Sequence, residues 1–294
     1  MGIDARTPIP TSRGWKPAQL LEAGDTVYSY DGKPTKVVSV QVYDAQECYK
    51  AWMEGGLTLI MDWRTGIPAL TERQMDTHRR WKRIKAKHAP LTIEPVGPRL
   101  AIEESTRRWL INCQPLRMPN RELPVEPYYL GRWMFERSRK RKAAQYQVTR
   151  ALIERYPTIP DYIPDEYLFA SFEQRLDLLR GIISLRPLSY KKKVSNFSVR
   201  LKDYRSYRQL QCLVESLGIR TMGLKQAKRK DFEVRFRTVL RLLPEQPLSR
   251  STIRNEFRKI LKIEGTTPRK CVHIQTTAPE NTIVVSEGYM CVSL

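Results

Sequence analysis

Strand-like segments at both ends of the chain enclose a middle part with the periodicity of helices. Residues 36–42 alternate along a predicted strand, and Asp31-Gly32 is a typical hairpin turn. Segments 126–156 and 171–185 instead place apolar residues at helical spacing. Because residues 270–294 return to short β-rich runs, we expect an all-β domain that is interrupted by an inserted α+β domain.

Inside the insert, the sequence predicts strand, helix and strand in turn. Residues 193–201 and 232–239 have the pattern of strands, and a helix over 204–217 ends before Gly218, a typical C-cap residue. Residues 251–262 also show helical spacing, so we expect one more helix there.

Composition excludes several classes of protein. No apolar run approaches the roughly 20 residues of a membrane helix, and the N-terminus has no signal-peptide pattern, so we expect a soluble, cytoplasmic protein. The five cysteines are odd in number and widely spaced, which favours reduced, packed thiols over disulfides or a zinc site. With only three histidines as well, we expect neither a metal nor a cofactor.

The positive charge is concentrated in the insert. Residues 116–264 hold 33 Lys and Arg against 16 Asp and Glu, a net charge of +17 out of +21 for the 294-residue chain. Such a charge is costly to keep compact unless it meets a polyanion, and phosphate backbones are the usual one. A solvated basic surface without a partner is the alternative. The charge favours double-stranded DNA as the partner.

Residue alternation in the two predicted strands of the insert places part of this charge on one face of a sheet. Apolar residues such as Phe197 and Val234 alternate with polar ones, so one sheet face should be apolar and the other basic. The basic face could contact phosphates and base edges in a DNA groove. The predicted DNA-binding residues are Lys191, Lys192, Lys193, Arg200, Lys202, Lys228, Arg229, Lys230, Arg235 and Arg237.

These features resemble the LAGLIDADG homing endonucleases. The first motif helix of that family matches LPVEPYYLGRWMFERSR through Pro127, Tyr129, Leu130 and Gly131. The second motif helix matches QRLDLLRGIISLRP through Arg175, Leu176, Leu179, Arg180 and Gly181. The strand, helix and strand that follow also agree with the family. The resemblance implies an α+β DNA-binding domain.

The β-rich ends resemble the Hint domain, the fold of inteins. The segment TPIPTSRGWKPAQLLEAGDTVYSYDGKPTKVVSV, which starts at Thr7, is similar to the opening of that family, and KCVHIQTTAPENTIVVSEGYMCVSL is similar to its closing strands. The resemblance implies a horseshoe-like all-β domain. We therefore predict a multidomain protein: a Hint-like β domain from 1–115 and 265–294, and a LAGLIDADG-like domain from 116–264.

The resemblance also implies catalytic positions, and at these positions this chain departs from the residues of the family. Metal-dependent DNA cleavage needs an acid at the end of each motif helix. The first such position is Glu136, but the second is Arg186, whose fixed charge would repel a divalent cation. We expect the two side chains to form an ion pair and the chain alone not to cleave DNA.

Protein splicing requires reactive residues at particular positions of the sequence. It needs a nucleophile at the first intein residue, a histidine in an internal block and a terminal Asn. Here Gly2 takes the first position, no histidine lies between residues 55 and 77, and the chain ends at Leu294. Since the chain also begins with Met1, with nothing to join on either side, we expect that splicing has been lost.

Two other nucleophile candidates are weaker. Cys271 and His273 lie two residues apart on a predicted strand without a third orienting group, so structural roles are favoured. Cys291 is favoured as a packed thiol. We therefore expect that the chain is not an enzyme. The alternative is activity together with a partner chain.

Two functions follow from these expectations. The leading one is a stand-alone intein relative that has lost splicing and cleavage and binds DNA or nucleoprotein through its basic sheet. The alternative is a structural or adaptor component of a nucleoprotein assembly such as a bacteriophage virion, with protein partners in the head, connector or tail.

Overall fold

A computed structural model of the chain shows two compact units. The structure describes residues 1–71, 74, 76, 95–96, 108–136, 154, 162–184, 196–226, 232–238, 240–243, 257–278 and 281–294. One unit, here the β unit, comprises Met1–Gln114 and Ile253–Leu294; the other, the inserted unit, is Pro115–Thr252. No helix in the described part of the chain is long and apolar enough to cross a membrane.

The β unit is built on a ten-stranded antiparallel sheet. Its strands run in the order β4-β5-β15-β1-β7-β6-β14-β10-β8-β9. These strands are β1 (Ile3–Asp4), β4 (Thr26–Tyr28), β5 (Pro34–Ala45), β6 (Cys48–Met53), β7 (Leu57–Asp62), β8 (Ile67–Thr71), β9 (Pro95–Val96), β10 (Arg108–Ile111), β14 (Phe257–Thr266) and β15 (Arg269–Thr276). Two ribbons complete the unit: β2 (Pro8–Thr11) with β3 (Gly14–Pro17), and β16 (Thr282–Val285) with β17 (Met290–Ser293). A 3₁₀ helix spans Ala18–Leu20.

The predicted turn at Asp31-Gly32 joins β4 and β5. Gly32 has a φ of 76°, which a residue without Cβ adopts at low cost. The Asp31 carboxylate accepts hydrogen bonds from the Ser29 hydroxyl at 2.6 Å and the Lys33 amide at 3.1 Å. The predicted hairpin is confirmed.

The two faces of the large sheet bury different side chains. One face carries the main core, which includes Ile3, Met61, Val272 and Ile274, each fully buried. On the strands β5, β6, β7 and β15, side chains that point to the other face of the sheet form a smaller buried cluster. That cluster contains Ala45, Cys48 and Cys271, with Tyr43 and Ile60 packed against it.

The helix predicted over 251–262 is wrong. Residues Phe257–Thr266 form the strand β14, which pairs with β6 and β10. A β-bulge between Ile260 and Lys262 shifts the register, so Ile260 and Ile263 both pack against the main core although they lie three residues apart. This spacing imitates a helix in the sequence. Residues 253–264, assigned to the insert from sequence, therefore belong to the β unit.

The inserted unit is α+β. Its helices are α1 (Pro127–Glu136), α2 (Asp165–Leu168), α3 (Phe172–Ile183) and α4 (Tyr204–Ser216), and its sheet has the order β11 (Asn196–Leu201), β13 (Phe232–Arg237), β12 (Thr221–Gln226). Ser171 and Gln174 form a capping box at the start of α3, and Asp203 caps α4. Gly218, with a φ of 71°, follows the end of α4, as predicted.

Helices α1 and α3 pack so closely that each places a glycine against the other's backbone. A Cβ atom on Gly131 would lie against the carbonyl oxygen of Leu178 and 2.9 Å from the amide nitrogen of Ile182. A Cβ on Gly181 would lie against the carbonyl oxygen of Tyr128. Real Cβ atoms do not make such contacts, so the crossing requires glycine on both helices.

We expect Gly181→Ala to destabilise the protein by about 1–3 kcal/mol. In a solvent-exposed helix the same change stabilises by up to about 1 kcal/mol, because alanine has the higher helix propensity. A lower free energy of unfolding in the variant would therefore come from the close helix contact and not from helix propensity. Urea denaturation of the full chain measures it. Gly265→Ala is the matched control because a Cβ there meets nothing within 4 Å. Equal stability of the two variants would contradict the crossing.

Candidate functional site

Four neighbouring strands place a set of polar side chains and one thiol on one sheet face. In the order β5-β15-β1-β7, Tyr43 pairs with Cys271, and Cys271 pairs with Asp4. Directly opposed residues point to the same side of a sheet, and so do residues two apart on one strand. His273 therefore shares the face with Cys271. Asp62 joins them because it follows Met61, which faces the main core.

The backbone of Gly2 is held on both sides of its peptide unit. Its amide donates to the Thr65 hydroxyl at 2.8 Å, and its carbonyl accepts from the Asp62 amide at 2.9 Å. The Thr65 hydroxyl also lies 2.6 Å from the Gly2 carbonyl oxygen and 2.7 Å from Asp62 Oδ1, so its single proton is donated to one of these at a time. Thr65 is fully buried. The start of the chain is therefore fixed by buried hydrogen bonds.

The Met1–Gly2 peptide lies among groups that can polarise it. His273 Nδ1 is 3.0 Å from the Met1 carbonyl oxygen. The Met1 ammonium lies 3.4 Å from Asp62 Oδ2, which also accepts a short hydrogen bond from the Tyr43 hydroxyl. Burial raises the pKa of Asp62, but the hydrogen bonds from Tyr43 and Thr65 outweigh it, so the pKa lies below its usual value. Asp62 is an ionised carboxylate at neutral pH.

Cys271 and Cys48 are the thiols of this face, and Cys271 lies on β15 between β5 and β1. It is fully buried and lies 3.9 Å, sulfur to sulfur, from Cys48. Burial raises the pKa of the Cys271 thiol, and Cys48, Asp62 and Asp4 raise it further. The group is therefore a neutral thiol that needs a base to become a nucleophile. The neighbouring carboxylates of Asp62 and Asp4 are bases within its electrostatic reach.

The C-terminal end of the chain reaches the residue next to Thr65. The Gly66 amide donates to the Ser293 carbonyl at 3.1 Å, and the Ser293 amide donates back to the Gly66 carbonyl at 2.9 Å. The Asn281 side-chain amide donates to the Leu294 carbonyl oxygen. Because Thr65 binds Gly2 and Gly66 binds Ser293, two consecutive residues hold both ends of the chain.

Part of this site is visible in the sequence. The sequence identifies Gly2 and Leu294 as degenerate splicing positions, and Cys271 and His273 as nucleophile candidates for which structural roles are favoured. In the structure, Gly2 binds Thr65 in the loop between β7 and β8, Leu294 binds Asn281, and Cys271 and His273 share one sheet face. A Cβ on Gly2 would lie 2.6 Å from the Tyr43 hydroxyl oxygen and 2.7 Å from the Val272 carbonyl oxygen, so the site has no room for a side chain there. Tyr43, Asp62 and Thr65 were missed. The signal that could have found Thr65 is its place in the internal block where a histidine was sought.

The predicted endonuclease positions lie outside what the structure describes. Helix α1 ends at Glu136, but its side chain is not among the described parts, and neither is Arg186. The expected ion pair between them stays a prediction. Within the described residues, no group of three or more His, Cys, Asp or Glu side chains could hold a metal ion.

The basic sheet of the inserted unit has the predicted alternation. Phe197, Val199, Leu201, Val234 and Phe236 are buried, whereas Arg200 and Lys202 are exposed and Arg235 and Arg237 are half-buried. Glu233 shares the outer face: it lies opposite Arg200, accepts from Ser198, and has Oε2 3.7 Å from Arg235 Nε. One carboxylate therefore neutralises part of the charge. The predicted residues Lys191, Lys192, Lys193, Lys228, Arg229 and Lys230 lie outside the described residues.

Comparison with known proteins finds a relative over part of the chain. A replicative DNA helicase DnaB of Mycobacterium intracellulare is 29% identical over 210 residues, which cover 60% of this chain and 36% of the helicase. The chain thus spans about a third of that relative. No protein-family model matches the chain.

The structural neighbours of the chain are inteins. The gp41-1 intein matches 100% of this chain and 98% of its own at a TM-score of 0.35 and 10% identity. The Msm DnaB1 intein splicing domain bound with zinc matches 99% of both chains, with a TM-score of 0.36 and 10% identity. The MchDnaB-1 intein is 31% identical over 23% of this chain and 52% of its own chain, with a TM-score of 0.22.

The prediction that the chain is not an enzyme is wrong. The solved structures that match it are inteins, and one of them is a splicing domain. The expectation rested on the endonuclease positions Glu136 and Arg186 and on the splicing positions Gly2, Leu294 and the internal block.

We expect Thr65→Val to destabilise the protein by about 1–3 kcal/mol, because the nearly isosteric change leaves the buried Gly2 amide without its acceptor. Urea denaturation of the full chain provides the measurement. Thr58→Val is the control: Thr58 is exposed on β7, two strand positions before Ile60, and its replacement should change stability by less than about 0.5 kcal/mol. A Thr65→Val variant as stable as this control would show that the Gly2 contact contributes nothing.

Proposed function

We propose that the β unit is an intein-like domain that acts on its own Met1–Gly2 peptide bond, with the thiol of Cys271 as the nucleophile. The environment of that peptide carries the proposal: Gly2 is fixed by Thr65 and Asp62, and His273 lies at the Met1 carbonyl. Gly2 itself has no nucleophile and no room for one. Cys271 is the thiol of the strands β5, β15, β1 and β7 on this sheet face. Cys48 of β6 shares the face, with its sulfur 3.9 Å from that of Cys271.

The proposed step is an acyl transfer from nitrogen to sulfur. Cys271 Sγ bonds to the Met1 carbonyl carbon, the bond from that carbon to the Gly2 nitrogen breaks, and the thiol proton ends on the Gly2 nitrogen. The products are a thioester and a free amino group, so atoms balance without a redox partner. Because burial raises the pKa of the thiol, Cys271 starts this step neutral and loses its proton as the carbon–sulfur bond forms. The charges of Asp62 and Asp4 act on the thiol.

The neighbours of the peptide have separate roles in this step. His273, with its proton on Nδ1, donates to the oxygen that becomes negative as sulfur attacks. Thr65 contacts both the Gly2 nitrogen and Asp62, so its hydroxyl can pass a proton between them. Fixing Gly2 in buried hydrogen bonds also lowers the entropic cost of bringing the reacting groups together.

A full chain with a reporter domain fused before Met1 tests the reaction. We expect dithiothreitol to release the reporter by attack on the thioester, and Cys271→Ala to abolish this release. Gel electrophoresis follows the reaction, and mass spectrometry places the cut between Met1 and Gly2. Cys113→Ala is the matched control, since Cys113 is also a buried thiol of the β unit but contacts the Ser29 and Gln114 carbonyls instead. Equal release from the Cys271 variant and wild type would contradict the proposal.

DNA binding by the inserted unit is the second function, and the outer face of the three-stranded sheet supports it. Arg200, Lys202, Arg235 and Arg237 lie on this face above an apolar layer. Cations on a sheet surface can bind phosphates without sequence preference, and affinity then falls steeply with salt. The partner that fits the charge is double-stranded DNA.

Replacing Arg235 and Arg237 together by Ala should weaken binding to a duplex of about 20 base pairs and reduce the slope of log affinity against log salt by about 2. Gel-shift titrations at several salt concentrations measure both effects. Arg6→Ala with Arg13→Ala removes the same charge from exposed positions of the β unit and should leave the slope nearly unchanged. No shift of the wild-type chain at low salt would contradict DNA binding, and nuclease-resistant association with a virion protein would favour the adaptor alternative.

A further inference from the structure

Tyr43 joins parts of the site that are distant along the chain. It lies on β5 opposite Cys271, yet its hydroxyl donates to Asp62 at the end of β7. Strands β15 and β1 lie between β5 and β7 in the sheet. The side chain therefore extends over the face that carries Cys271 and Gly2. The Tyr43 hydroxyl is also the atom nearest to the Cβ position of Gly2, at 2.6 Å.

This placement depends on the absence of a side chain at Gly2. A methyl group on Gly2 would occupy the space next to the Tyr43 hydroxyl, and the Val272 carbonyl at 2.7 Å blocks a shift of Gly2 in the other direction. Tyrosine and glycine are thus complementary here. The hydroxyl reaches Asp62 because the first residue of the resembled intein segment contributes only backbone.

We propose that Tyr43 is a positioning residue of the acyl-transfer site, holding the Asp62 carboxylate beside Gly2 and Thr65 across the gap that Gly2 leaves. The proposal rests on the function proposed above. Asp62 uses its second oxygen, Oδ1, for Thr65, so the two hydrogen bonds fix the carboxylate at both oxygens. A carboxylate fixed in this way keeps its orientation toward the reacting peptide.

The charged and titratable groups around Asp62 define the expected pH effect. They are Tyr43 on β5, Cys271 and His273 on β15, Cys48 on β6, Asp4 on β1 with its partner Arg269, and the Met1 ammonium. In a chain extended before Met1, the ammonium is replaced by a peptide amide. Hydrogen bonds from the Tyr43 and Thr65 side chains and from the Gly2 backbone then remain as the interactions that oppose the effect of burial on the Asp62 pKa.

Tyr43→Phe removes one of those bonds while it keeps the ring. The Asp62 pKa should rise, because the ionised form loses a donor while burial stays. In the extended chain, we expect dithiothreitol-dependent release to slow by about tenfold and the acid limb of its pH profile to move to higher pH. Gly2→Ala, which displaces the same hydroxyl, should move the acid limb in the same direction, and the double variant should move it no further.

Two measurements keep this inference separate from the proposed reaction. Rates are measured between about pH 5 and pH 9, with Tyr49→Phe as the matched control, since the Tyr49 hydroxyl contacts Glu47 outside the site. The Asp62 titration is followed independently by carboxyl-carbon NMR on the full chain. A wild type that releases nothing refutes the acyl transfer. An Asp62 titration unchanged in Tyr43→Phe refutes the role of Tyr43, whether or not release occurs.

Discussion

The contact of Thr65 with Gly2 is the interaction on which the β unit and its site depend. Thr65 and Gly66 form a short stretch between β7 and β8, and they bind residues near the two ends of the chain. Pro115–Thr252 separates the two segments of the β unit along the sequence. Buried hydrogen bonds are costly to leave unpaired, so each partner constrains the other. The site exists because these distant residues meet.

In the inserted unit, the close approach of α1 and α3 has a similar organising role. Gly131 and Gly181 allow backbone-to-backbone contact, and the buried Arg175 of α3 completes the packing. Its guanidinium donates to the carbonyls of Ala170 at 2.9 Å, Ser216 at 2.7 Å and Leu116 at 2.5 Å. A charge in this position ties α3 to the end of α4 and to the start of the unit. The sheet that carries the basic face rests on α4, whose buried side includes Leu210, Leu213 and Val214.

Local pattern predicted much of the fold. The split of β-rich ends around an α+β insert, the turn at Asp31-Gly32 and the end of α4 at Gly218 each follow from residues that are neighbours in sequence. Gly131 and Gly181 match the motif helices of the resembled family in the sequence, and the structure shows why both must be glycine. These features depend on short-range periodicity and on backbone conformations that few residues adopt.

The features that the sequence could not reveal depend on long-range pairing. The bulge in β14 places Ile260 and Ile263 on one face at a spacing that also fits a helix. The site joins Gly2 to Thr65, which lies 63 residues away, and Tyr43 to Cys271 through strand register. Asp62 and Thr65 form no motif by themselves, because their function comes from a partner that only folding provides. The absence of a nucleophile at Gly2 was visible in the sequence, but the groups around it were not.

Hydrogen exchange at the Gly2 and Ser293 amides tests the central claim, that Thr65 and Gly66 hold both ends of the chain at one site. Both amides donate to this pair, Gly2 to the Thr65 hydroxyl and Ser293 to the Gly66 carbonyl. The account predicts that both are protected in the native protein, and that Thr65→Val increases exchange at Gly2 first and at Ser293 with it. Exchange of the Gly2 amide at the rate of an unstructured peptide in the wild-type protein would contradict it.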